Sequence, residues 1–267
     1  MRTPYPRSTV YASREVEKVA DHGMPIWARP ERKARAVSSA LSQEQIVAAA
    51  IKIADAEGLE AVSMRRVAGQ LNAGAMSLYR YMSTKDDLLD LMLDGVMGAI
   101  VADVPQDISI SSGDLRRDLH GIGVGLREQI HQHPWLPRLM SGRPAFGPNM
   151  VRSVEIALSI FDGMDVGADT MMNAVGTINA FVHGFVQQEL AQQEMQRHTG
   201  LNELEWRATM APYIRSLLDT GKYPRLTKVI VEGTDTIDHT VEFLAQLAMV
   251  VDGIVASMPA KKRKLTR

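Results

Sequence analysis

The stretch Leu71–Leu89, LNAGAMSLYRYMSTKDDLL, gathers Tyr79, Arg80, Tyr81 and Lys85 directly after the turn-forming triplet Asn72-Ala73-Gly74. A packed core takes aromatics without charges, and a plain solvated face takes charges without aromatics, so neither accounts for the grouping. Just upstream, Ser63 is placed to cap MRRVAGQL, with Val67, Ala68 and Leu71 inward; AMSLYRYM then reads as a second short helix. Two short helices joined by a tight turn make a helix-turn-helix, whose second helix enters the DNA major groove. Gly74 and Ala75 supply the small residues that a close approach needs. Residues 63–85 hold Arg65, Arg66, Arg80 and Lys85 and no acid. Arg65 is placed to reach a base edge, and a bidentate arginine on guanine discriminates by about 1–3 kcal/mol. Tyr79, Arg80 and Tyr81 offer donors to phosphate oxygens, Ser63 adds another, and Lys85 opens the following helix, where free backbone N–H groups favour a phosphate.

The flanking pattern is helical. Ser42 and Gln45 form a capping-box pair ahead of Ile46, Ala50, Ile53 and Ala54, and that helix ends at Gly58. After Ser83-Thr84, a helix with Asp86 and Asp87 in its first turn runs through Leu88, Leu91, Met92, Val96 and Ile100. Periodicity predicts further helices near 113–132, 134–140, 147–163, 168–196, 204–220 and 235–257. RLTKVIV, residues 225–231, is the single strand candidate. The fold class is therefore all-α: a three-helix DNA-binding unit followed by a larger helical domain. Residues 1–40 read as a basic arm, with a short helix between Ser13 and Gly23 and an extended linker around Pro25 and Pro30. The expected boundaries are 41–88 for the DNA-binding unit, 89–258 for the larger domain and 259–267 for a basic tail.

Composition narrows the function. The 267 residues carry a net charge of −1, so any polyanion site must be a local basic face rather than a global excess. No cysteine is present, which excludes disulfides and thiolate ligands or nucleophiles and fits a reducing cytoplasm. No apolar run approaches the roughly 18–20 residues of a membrane span, and the N-terminus has no apolar signal core. His131 and His133, two apart, point about 200° apart on a helix and make a poor metal pair. No phosphate loop, zinc-helix or nucleophile-elbow motif occurs, so no catalytic residue, cofactor or metal is expected.

Ser42–Val96 resembles the N-terminal DNA-binding domain of the TetR/AcrR family of bacterial transcriptional repressors. The residues that carry the likeness are the alanine-rich first helix ending in Gly58, the Ser63-Met64-Arg65 entry, SLYRYM, and Lys85 followed by Asp-Asp-Leu-Leu. The resemblance implies that Arg65, Ala75, Met76, Ser77 and Arg80 face the groove while Ser63, Tyr79, Tyr81 and Lys85 contact the backbone, with Met64 in the same set. Asn72 departs from the glycine usual there, yet asparagine also tolerates the left-handed conformation. With few polar side chains on the second helix, part of the specificity is expected from the N-terminal arm. Residues from about Asp114 to Ala256 look like the effector domain of the tetracycline-repressor branch, with LREQIHQHPWL and INAFVHGFV as weaker signatures.

That domain implies a homodimer and a small-molecule effector of unidentified structure. Gly176, Ala180 and Gly184 recur at i, i+4 and i+8, admitting a second helix closely. Together with Leu244, Leu247, Val251 and Ile254 of the last helix they form the expected dimer interface. Asn179, His183 and Gln187 share one face of an otherwise apolar helix and form the polar side of a candidate ligand pocket. Trp135, Met140, Phe146, Met150, Met171 and Met172 are its expected apolar lining. The expected function is a repressor released from a pseudo-palindromic operator by its effector, with no membrane association. The rival readings are a helical small-molecule enzyme or carrier and a ligand-independent DNA-binding activator.

Overall fold

A computed structural model describes residues 25–28, 41–105, 109–141, 146–233 and 238–258. Among them lie eleven α-helices and no strand. The expected helix at 13–23, most of the linker and the tail 259–267 fall outside the described residues. The head consists of α1 (Gln43–Glu57), α2 (Met64–Gln70), α3 (Ala75–Leu78) and the start of α4 (Lys85–Val101). The body contains α5 (Leu115–Gln132), α6 (Leu136–Met140), α7 (Pro148–Leu158), α8 (Ala168–Thr199), α9 (Glu203–Leu218), α10 (Pro224–Glu232) and α11 (His239–Ser257).

The helix starts follow from their caps. Ser42 Oγ accepts from the Gln45 amide at 3.2 Å, and Gln45 Oε1 accepts from the Ser42 amide at 2.8 Å. Ser63 Oγ accepts from the Arg66 amide, and Thr84 with Asp87 closes a second capping box at α4. Each such cap is worth about 1 kcal/mol, comparable to several helix-propensity differences. Between α2 and α3, Asn72 sits at φ 52°, the left-handed turn its short amide tolerates. The head closes on Ile46, Ala50, Ile53, Val62, Val67, Leu78, Met82 and Leu88, all essentially inaccessible.

Helix α4 carries the chain from head to body and packs along α7. Its buried Asp94 supplies the cap that α7 lacks in its own sequence, where Gly147 has no side chain to offer. The carboxylate accepts from the amides of Asn149 and Met150 at 3.0 and 2.9 Å and from Asn149 Nδ2 at 3.0 Å. A Cβ at Gly147 would overlap both this carboxylate and the Trp27 ring, so glycine is required by close approach. Residues 25–28 thus place Ile26 and Trp27 against the body's core. This short piece of the arm is a 3-10 turn rather than an extended linker, because its apolar pair is half-buried.

In the body, α5 packs against α8 and α11. Phe243 of α11 stacks on Phe181 at 5.7 Å and meets Phe185 edge-on at 5.2 Å, and the Arg127 guanidinium lies 4.8 Å above its ring. Gly123 of α5 meets Leu247, with no room there for a larger residue.

Two expectations change. The strand candidate at 225–231 is helical: Pro224 at N1 presets the first turn, the Thr227 hydroxyl bonds back to Tyr223 O, and no second strand exists among the described residues to pair with it. Leu247, Val251 and Ile254 are buried in the chain's own core, because that face of α11 closes on α5 and α8, so they cannot form a subunit interface. The rest of α11 is largely apolar and open, although Glu242, Gln246 and Asp252 interrupt it, so it holds no unbroken apolar run of membrane-spanning length. Its open side carries Val241, Leu244, Ala248 and Met249.

Among the described residues, the α9–α10 pair is mostly exposed. No residue of either helix is buried, and Pro212 interrupts α9, leaving the Ala208 carbonyl without its usual amide donor.

Candidate nucleic-acid interface and effector site

The head presents one face built from α2, α3 and the first turn of α4. Arg65 is exposed on α2 and makes no ion pair among the described residues. On α3, Met76 stands 79% exposed, with Ala75 and Ser77 beside it partly covered. Helix α3 is only four residues long, because Ser77 turns its hydroxyl onto Gly74 O at 2.5 Å and the chain continues as turns through Met82. Those turns leave Tyr79 and Arg80 exposed; the Arg80 side chain makes only a long 3.5 Å contact to Ser77 O. Lys85 is exposed at N1 of α4, where the first backbone N–H groups lack intrahelical acceptors. The helix dipole and the lysine charge therefore coincide at one point.

Other expected contacts are placed differently. Met64 is buried, since it is the first inward residue of α2 and packs in the head's core; it does not belong to the DNA face. Ser63 uses its oxygen as the α2 cap. The Tyr81 hydroxyl donates to Leu41 O at 2.6 Å, so this half-buried tyrosine also fastens the entry of α1. Arg66 turns away to Glu57 at 2.5 Å and Gln70 at 3.3 Å. Such an exposed pair contributes about 0–1 kcal/mol, but it removes one of the four basic side chains from the outward face. Gly74 is not required by any neighbour, since a Cβ there would meet nothing within 4 Å; its smallness leaves open space in front of α3.

In the body, His183 is the one expected pocket residue with an unmet need. Its Nε2 is buried and has no hydrogen-bond partner among the described residues. Burial pushes the imidazole's pKa below its ordinary value, which keeps it neutral. Asn179 lies one turn before it and is half-buried, while Gln187 one turn later is exposed. Met140, Met150 and Met171 pack partly buried against the core. Phe146, 73% exposed, and Met172 are open to solvent within a single chain. Trp135 has its indole N–H committed to Asp55 Oδ1 of α1 at 2.7 Å, and His133 Nδ1 reaches the same oxygen at 2.8 Å.

On the inner face of α8, Glu189 is 6% exposed. It accepts from Arg127 Nε and Nη2 at 3.1 and 2.5 Å and pairs with His131 Nε2 at 2.8 Å. Burial alone would raise this carboxyl's pKa; the bonds from Arg127 and His131 outweigh it and hold the group below its usual range. The Asp55 contacts were missed in the sequence, where Trp135 was expected to line a ligand pocket and His133 was weighed only as a metal partner of His131. The available signal was a carboxylate in the last turn of α1, where the helix dipole disfavours it.

Gly176, Ala180 and Gly184 form an exposed stripe on α8 with no atom near a Cβ built on either glycine. The open side of α11 adds the exposed Leu244.

Known proteins share this arrangement. Residues 46–92 match the family described as "Bacterial regulatory proteins, tetR family", and residues 110–258 match "Tetracyclin repressor-like, C-terminal domain". The chain is 35% identical over 231 residues to the HTH-type transcriptional repressor DrrR1 of Streptomyces coeruleorubidus, covering 86% of this chain and 83% of that protein. It is 34% identical over 202 residues to an HTH-type transcriptional regulator of Saccharopolyspora erythraea, covering 75% and 79%. Among solved structures, Streptomyces coelicolor ActR in complex with actinorhodin is similar at a TM-score of 0.66 and 26% identity, over 82% of this chain and 98% of that one. The head with its outward Arg65, Arg80 and Lys85, joined by α4 to an all-helical body, is the arrangement of a one-component regulator, and the chain belongs to the TetR family of bacterial transcriptional regulators.

Proposed function

We propose that the protein is a homodimeric repressor that two recognition helices hold on a pseudo-palindromic operator and that a small, largely apolar effector releases. The observation that carries the reading is the outward set Arg65, Met76, Tyr79, Arg80 and Lys85 on a head whose core is closed. Arg65 and Arg80 read base edges, Met76 meets a thymine methyl, and Tyr79 and Lys85 hold phosphates. A single head covers too little DNA for specificity, so two are needed about one helical turn apart.

The dimer joins through the small-residue stripe of α8 and the open side of α11 (Val241, Leu244, Ala248 and Met249), with the uncovered α9–α10 helices extending the contact. An apolar helix left mostly bare in one chain is explained by a second copy covering it. The effector binds in the body, where neutral His183 offers an unpaired ring nitrogen and Asn179 a second polar group. ActR with actinorhodin, a similar protein solved with a small molecule bound, supports this reading. Release requires only that the effector favour one of two conformations; about 3 kcal/mol of coupling weakens DNA binding more than a hundredfold. A DNA-binding repressor of this kind works in the cytoplasm.

The test is selection of bound genomic fragments by the purified protein, then titration of the enriched site across salt concentrations. A pseudo-palindrome with a steep salt dependence, made shallower by about two in log–log slope in Lys85→Ala because each of the two heads loses one phosphate contact, is expected. An enzyme or carrier would enrich no site, and an activator without a ligand would hold its operator whatever metabolite is added.

A further inference from the structure

We propose that Asp55 is a positioning residue, fixing the angle of the DNA-binding head on the body through its shared hydrogen bonds to His133 and Trp135; the functional consequence rests on the dimeric operator-binding reading above. Among the described residues the head runs into the body through α4, with the Ile26–Trp27 turn resting on the body beside it, and one connecting helix leaves the head room to tilt. Asp55 Oδ1 closes a second point of attachment. It receives the Trp135 indole N–H at 2.7 Å and His133 Nδ1 at 2.8 Å, from either side of Pro134, where α5 ends and α6 begins. Both distances are those of charge-assisted bonds, and the donors are well shielded: Trp135 is buried and the His133 side chain is 18% exposed. The neighbouring crossing, Arg138 with Glu60, joins two highly exposed side chains and is worth little by comparison.

Two features mark the contact as more than packing. Asp55 lies in the last turn of α1 with no basic residue there to offset the helix dipole, so the carboxylate is placed against local preference, and its protein hydrogen bonds come from His133 and Trp135 of the body. And the segment that grips it is itself held from behind. Arg127 and His131, within the last two turns of α5, are bound to the buried Glu189 of α8. Two sets of hydrogen bonds, joined by the backbone at the end of α5, therefore link α8, which carries His183, to α1, which packs against α2. Movement of α8 against α5 displaces the donors of Asp55 and with them the head.

Because the chain has no cysteine, labels can be placed at will. Cysteines at the exposed Gly69 and Glu155 report the distance between head and body in a doubly labelled chain diluted into unlabelled protein. Asp55→Ala and, independently, Trp135→Phe are expected to broaden that distance distribution while leaving helical content unchanged. On the selected operator, Asp55→Ala is expected to bind an isolated half-site within twofold of the unaltered protein. Its preference for native spacing over a site lengthened by one base pair should fall about tenfold. A residue that mattered for stability alone would weaken both sites together. An unbroadened distribution in both variants overturns the proposal, and so does a broadened one with spacing preference intact. If no operator is found, the repressor reading fails separately, and the distance measurement alone decides whether Asp55 fixes the head.

Discussion

The head and the far end of the body handle apolar side chains in opposite ways. In the head, Leu78, Met82, Leu88 and Val67 are sealed inside one chain, and Met76 is the one aliphatic side chain standing well out beside Arg65, Tyr79, Arg80 and Lys85 on the described outward face. At the far end, α9 and α10 bury nothing, and Leu204, Trp206, Tyr213, Leu226, Val229, Ile230 and Val231 lie open. The first pattern belongs to a unit complete in itself and facing a polyanion. The second is what the proposed dimer would cover with another chain.

Substitutions that break one side of this contrast separate the two. The largest effect is expected at the open face of α11: Ala248→Arg places a charge in the proposed subunit contact at a cost of about 4 kcal/mol, on the order of a thousandfold in dimer affinity. Light scattering coupled to size exclusion should find a monomer, with operator binding lost although the head is untouched. Next, Leu78→Ala empties the sealed head core and should lower stability by about 3 kcal/mol in denaturant unfolding, with the dimer retained. Gly123→Val, which drives into Leu247, should lower stability by about 2 kcal/mol. A neutral result there would return Leu247 to the surface and undo the division of α11 into an inner and an outer face.

The smallest effect is in acid. Glu189 has a folded-state pKa below its unfolded value, so its contribution is fully present above the unfolded pKa and is lost as pH falls through the folded one. Thermal unfolding followed from neutral pH downward should therefore show an acid limb that Glu189→Gln flattens. His183, also lowered, adds a loss of the same sign beginning below its unfolded value, about 6.5.

Much of the head was legible in the sequence because its signals are local. Ser42 with Gln45, Ser63, and Asn72 at a left-handed turn each act within four residues, and each is found in the role its chemistry implied. The outward side chains of the head, the proposed DNA contacts, were legible in part but not one by one. Helical period alone cannot tell that Met64 turns inward or that Arg66 prefers Glu57 to solvent. The body was legible as helices but not as faces. The last helix is apolar nearly all round, so its pattern could not say that Leu247, Val251 and Ile254 face α5 and α8 while Leu244 and Ala248 face out. The segment 225–231 misled through its β-branched residues, whose strand preference needs a partner strand before it counts. Asp55 was illegible for a different reason: its partners are about eighty residues away, and no local rule links them.

The buried cap at Asp94 turns α4 into a lever with a fixed fulcrum. Sliding α4 along α7 would strip three hydrogen bonds from a buried carboxylate, whereas tilting about that point keeps them. Lys85 stands roughly 14 Å from the fulcrum at a rise of about 1.5 Å per residue, so a tilt of about 10° carries it roughly 2 Å sideways. That is a sizeable fraction of the spacing between stacked base pairs, and it is obtained without unmaking any contact in the head.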